Sequence, residues 1–68
     1  MAENLSNHVR EAREAKGWTQ AELAERIGVS RKTVNTVENG VFVPSTIVAL
    51  KLAQALDESV ETLFQLSK

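Results

Sequence analysis

Where this chain can break is what constrains its fold most. Its glycines are Gly17, Gly28 and Gly40, and its single proline is Pro44. Thr19, Ser30 and Ser45 follow these breaks closely, and all three are good helix N-caps. Between the breaks the sequence is rich in Ala, Glu and Leu, with few turn residues, which favours helix. Such a chain reads as several short helices joined by very tight turns.

The apolar spacing fills in those helices. Leu5, Val9 and Ala12 share a narrow arc at about 100° per residue, so residues 5–16 read as an amphipathic helix ended by Gly17. Thr19-Gln20-Ala21-Glu22 has the form of a capping box, in which the Thr hydroxyl and the Glu carboxylate each accept from the other's backbone N–H. The helix it opens turns Leu23, Ala24 and Ile27 inward and stops at Gly28. Ser30 caps a further helix over residues 31–39, with Val34 and Val37 inward and Gly40 at its end. Val41-Phe42-Val43-Pro44 forms an apolar connection. Ser45 caps a helix over residues 46–56 whose apolar side chains spread nearly all round, as in a buried central helix. Asp57 and Glu58 form a turn. Ser59 then caps a last short helix carrying Val60, Leu63, Phe64 and Leu66.

Composition excludes several classes of chemistry. The 68 residues contain no cysteine, so disulfides, thiolate zinc sites and cysteine nucleophiles are ruled out. The only histidine is His8 and the only aspartate is Asp57, which leaves little for a metal site or a nucleophile–base pair. Glu11/Glu14 and Glu22/Glu25 read as solvated charge patterning, with Arg and Lys nearby. No apolar run approaches the ~20 residues of a membrane span, and residues 1–10 lack the apolar core of a signal peptide. The formal net charge of −1 argues mildly against a nucleic-acid partner. Its distribution argues the other way, since residues 26–37 hold three basic side chains and no acidic one.

Two short helices meeting across Gly28-Val29-Ser30 form a helix-turn-helix pattern. The pattern has physical demands that these residues meet. Ala24 is small where the helices approach, Gly28 accepts a left-handed backbone, and Val29 and Val34 fill the angle between the helices. The stretch from Thr19 to Gly40 resembles the helix-turn-helix of the Cro/phage-repressor family of transcriptional regulators. Its Thr19-Gln20 start, Gly28-Val29-Ser30 turn and Glu38-Asn39-Gly40 end carry the likeness most specifically. The resemblance extends over about residues 5–66 and is greatest to the small stand-alone members. Ala12 and Trp18 stand where Leu is more usual, Asp57 stands where Gly is common, and residues 41–43 are more apolar than usual.

The outward face of the second helix follows from geometry alone. Opposite Val34 and Val37 lie Lys32, Asn35, Thr36 and Asn39, with Arg31 on the flank. Asn can bond adenine, Arg and Lys can bond guanine, and a Thr methyl can touch thymine. The resemblance places base reading at Arg31, Lys32 and Thr36, with Asn35, Ser30 and Thr33 beside them, and a phosphate contact at Gln20. It also implies a structural role for Glu38, for which Arg10 or Arg13 is the expected partner. Val41, Phe42 and Val43, with Phe64 and Leu66, are an apolar surplus that a domain this small cannot hide. They are the expected surface of a homodimer.

These readings converge on an all-α fold, a compact five-helix bundle of the lambda-repressor-like type. It would form a single domain over residues 1–68, with the helix-turn-helix at about 19–39. The implied function is sequence-specific binding of double-stranded DNA by a cytoplasmic transcriptional regulator. The resemblance suggests a dimeric repressor on a roughly palindromic operator. No catalysis, cofactor, metal, membrane or small-molecule ligand is called for. The alternative is a helical protein-interaction module or an antitoxin-like partner-binding protein.

Overall fold

The computed structural model describes residues 4–67. In chain order they form β1 (Asn4–Asn7), α1 (Val9–Ala15), α2 (Gln20–Ile27), α3 (Arg31–Glu38), α4 (Thr46–Leu56), α5 (Val60–Leu63) and β2 (Phe64–Ser67). The cap residues act as the sequence predicts. Ser30, Ser45 and Ser59 each accept at the side chain from the backbone N–H three residues on, and Thr19 and Glu22 close the capping box reciprocally.

Val9, Leu23, Ala24, Ile27, Val34, Val37, Leu52, Leu56 and Leu63 make the buried core, so every helix contributes to it. Ala12 and Trp18 both pack against this core. The Trp18 ring also carries the Arg26 guanidinium, 4.0 Å from its centroid. At the end of α4, Asp57 takes the left-handed conformation (φ 58°), the role that Gly commonly fills.

The five helices are present, but the fold is not purely α. β1 and β2 pair antiparallel, with Leu5 opposite Leu66 and Asn7 opposite Phe64. Residues 5–7 are therefore strand rather than the start of α1, and residues 64–66 are strand rather than the end of α5. Two causes act locally. The Asn7 side chain accepts from Val9 N–H at 3.1 Å and donates to the Val37 carbonyl at 2.9 Å, so the helix starts only after it. His8 N–H donates to the Leu63 carbonyl at 2.8 Å, which continues the strand pairing up to the helix. Apolar residues two apart, Phe64 and Leu66, also suit a strand, where alternate side chains share a face.

α4 departs from expectation in one respect. Leu52 and Leu56 are buried, but Ile47 and Leu50 are 66% and 53% exposed. The helix has apolar residues on most sides, and the rest of this short chain covers only part of them.

Candidate nucleic-acid interface

α2 and α3 are held at a fixed angle from both ends of the turn. Gly28 adopts φ 73° and ψ 34°, a left-handed conformation that disfavours any residue with a Cβ. Val29 N–H then reaches back to the Ala24 carbonyl at 3.0 Å. Ser30 opens α3 by accepting from Thr33 N–H. Ala24, Ile27, Val34 and Val37 are buried between the helices and the rest of the core.

The far end of α3 is anchored by charge. Arg13 Nε and Nη2 donate to the two Glu38 carboxylate oxygens at 2.6 and 3.2 Å, and Nη1 donates to the Trp18 carbonyl at 2.8 Å. The Glu38 side chain has no exposed surface and the Arg13 side chain has 10%. The hydrogen bonds to Glu38 raise the Arg13 pKa above its ordinary value, against the opposing effect of burial. Arg10 adds a longer contact to the same carboxylate, 3.8 Å. Both expected partners of Glu38 are thus in place, with Arg13 the close one.

Two anchored ends leave the outward arc of α3 presented to solvent. Arg31 and Lys32 are exposed, and Asn35 and Thr36 are half-buried. Among the described residues, neither Arg31 nor Lys32 forms an ion pair with a carboxylate. Thr36 turns its hydroxyl to its own helix, toward the Lys32 and Thr33 carbonyls, both at 3.0 Å, which leaves its methyl group outward. The Ser30 and Thr33 hydroxyls bond each other at 2.9 Å.

Gln20 is tied inward. Its side-chain amide donates to Glu38 Oε1 at 3.0 Å and to Asn35 Oδ1 at 3.2 Å. Asn35 Oδ1 also accepts from Asn39 at 3.3 Å, so the free end of the Asn35 side chain is its amide donor. The sequence points to Gln20 as a phosphate neighbour. It does not reveal that Gln20 bonds a side chain of α3, because the contact spans 15 residues and a helix crossing.

A helix-turn-helix family model matches residues 9–67 of the chain. The HTH-type transcriptional regulator YgzD of Bacillus subtilis is 39% identical over 64 residues, covering 94% of this chain and 97% of YgzD. This chain belongs to the Cro/phage-repressor helix-turn-helix family of DNA-binding transcription regulators. Antitoxin HipB of Escherichia coli O6:H1 is 36% identical over 56 residues, 82% of this chain and 60% of HipB. Among solved structures, the restriction-modification controller protein C.AhdI of Aeromonas hydrophila superposes with a TM-score of 0.74 and 42% identity. The match covers 79% of this chain and 82% of C.AhdI.

In this helix-turn-helix regulator the expected apolar surface divides in two. Val43 and Phe64 line a recess with Leu5, Pro44, Ala49 and Leu50. Leu66 is opposite Leu5 in the sheet and is 67% exposed. Val41 and Phe42 instead lie beside α3, with Lys32, Thr33 and Thr36. Ile47 and Leu50, one turn apart on α4, belong to the exposed apolar surface and were not singled out from sequence. The signal was available, since a helix apolar on all sides needs more cover than one small domain supplies. Among the described residues no group of acidic, His or Cys side chains is suited to hold a metal, and no helix is long and apolar enough to cross a membrane.

Proposed function

We propose that the chain is a sequence-specific repressor that binds a roughly palindromic operator in double-stranded DNA as a homodimer. The observation that carries this reading is the outward arc of α3. Arg31, Lys32, Asn35 and the Thr36 methyl project together from a helix fixed at both ends. Such a helix enters the major groove with its N-terminal part against base edges. Arg31 and Lys32 are suited to guanine, Asn35 to adenine and Thr36 to thymine. Ser30 and Thr33 flank them toward the sugar–phosphate backbone, while Gln20 holds Asn35 from α2.

The proposed dimer contact consists of Val43, Phe64 and Leu66 together with Ile47 and Leu50. Val41 and Phe42 leave this set because their neighbours are on the reading helix. The described fold measures 36 × 21 × 19 Å. Two copies of that size related by a two-fold axis can present their α3 helices one DNA turn, ~34 Å, apart.

The likeness to antitoxin HipB favours a second reading, in which the same apolar surface takes a protein partner while α3 binds DNA. Selection of bound sequences from a random DNA pool tests the repressor reading. The repressor reading expects two inverted half-sites one turn apart and binding that falls steeply with salt. Recovery of no enriched sequence would sink it.

A further inference from the structure

The segment after α3 folds back over the reading helix. Val41 N–H and Phe42 N–H both donate to the Thr36 carbonyl, at 2.9 and 3.2 Å. This sets Val41, 78% exposed, and Phe42, 46% exposed, against Lys32, Thr33 and Thr36. Together the five residues line a shallow recess of about 310 Å³. Its polar atoms are largely satisfied from within. The Thr33 hydroxyl is paired with Ser30, and the Thr36 hydroxyl is turned onto carbonyls of its own helix. What remains to line the recess is mainly apolar, from Val41, Phe42 and the two threonines, with Lys32 as its one charged residue.

We infer that this recess receives the C5-methyl group of a thymine in the major groove, and that Phe42 determines specificity at that base. The recess is continuous with the reading face of α3, and Lys32 and Thr36 belong to both. Residues 26–37 carry three basic and no acidic side chains, a field that suits DNA better than an apolar protein surface. The major groove offers one prominent apolar group at a base edge, the thymine methyl. Phe42 would thus add to the reading helix a contact from outside it. The inference rests on the proposed DNA-binding function.

The test replaces each thymine of the selected operator in turn by deoxyuridine, which removes only the methyl. Affinity is measured by fluorescence anisotropy at fixed salt. For the unaltered protein, one thymine per half-site should show a loss of about fourfold, the value of one buried methyl group. Phe42→Ala should bind the thymine and uracil operators equally at that position, with its oligomeric state unchanged. Thr36→Val, which keeps a methyl group there, should retain the thymine preference, and Thr36→Ser should lose it. The Thr36 pair holds the test open should Phe42→Ala fold poorly. The inference is overturned if no thymine is sensitive. It is equally overturned if the sensitivity survives either Phe42→Ala or Thr36→Ser, or if Phe42→Ala dissociates a dimer. Failure to bind any DNA is a different result and overturns the proposed function itself.

Discussion

Arg13 Nε lies 2.6 Å from Glu38 Oε2, which joins α1 to the last turn of α3. Both side chains are almost withdrawn from water. Removing one partner of such a pair strands the other charge, which costs about 3–5 kcal/mol. Glu38→Ala and Arg13→Ala should each lose stability in that range by urea denaturation. Replacing both by apolar residues of similar volume should recover much of the loss, because no unpaired charge remains. A double variant no more stable than the singles would refute this account.

Gln20 links this anchor to the outward face of α3 through Glu38 and Asn35. Gln20→Ala removes one of the two donors that hold Asn35 Oδ1, leaving only Asn39, so the expected outcome is a broadened preference at one base of each half-site. Sequence selection on the variant checks it. A Gln20 that only touched phosphate would instead give a weaker but unchanged preference.

Lys32 is exposed and, among the described residues, unpaired with any carboxylate. Lys32→Ala should cost about 1–3 kcal/mol on the best operator and relax discrimination at one position. Fold stability should change little. Titrations against single-base operator variants separate this loss from a general weakening.

Leu50 is half exposed on α4, beside the recess lined by Val43, Phe64 and Leu5. A charge placed there is readily solvated in a monomer and costly in a dry contact. Leu50→Glu should therefore shift a dimer to monomer in sedimentation equilibrium while thermal stability measured at low concentration holds. Operator affinity should fall with it, since each monomer reads only one half-site. An unchanged oligomeric state would remove Leu50 from the contact.

The legible parts of the fold are those set by neighbours in sequence. Capping by Thr19, Ser30, Ser45 and Ser59, the left-handed Gly28 and the inward faces of α2 and α3 all depend on residues within a few positions. The Glu38 partnership was legible because a carboxylate on a helix with no outward role needs a cation. The strand pairing was not, because Leu5 and Leu66 meet across nearly the whole chain and Leu5 fits a helical arc equally well. For the same reason residues 41–43 read as one apolar unit. Only the fold-back onto the Thr36 carbonyl separates Val41 and Phe42 from Val43.

Asn7 offers the sharpest test of why residues 4–7 are strand rather than helix. Its carbonyl oxygen accepts from Val9 N–H at 3.1 Å, and its amide donates to the Val37 carbonyl at 2.9 Å. Val9 has no exposed surface, so water cannot readily replace the first of these bonds. Asn7→Ala should cost about 1–3 kcal/mol, as expected for a polar group left unsatisfied in the interior. Asn7→Asp keeps the acceptor but sets a carboxylate oxygen against the Val37 carbonyl. That repulsion favours the protonated acid, which can donate, so the folded-state pKa should rise above the ordinary value of about 3.9. The sign follows from linkage. With a raised pKa the folded state binds the proton more tightly than the unfolded state, so the variant gains on the unaltered protein as pH falls. The gap in Tm between Asn7→Asp and the unaltered protein should be widest at pH 7 and narrow toward pH 4. A gap that stays constant with pH would show that the Asn7 amide does not depend on the Val37 carbonyl.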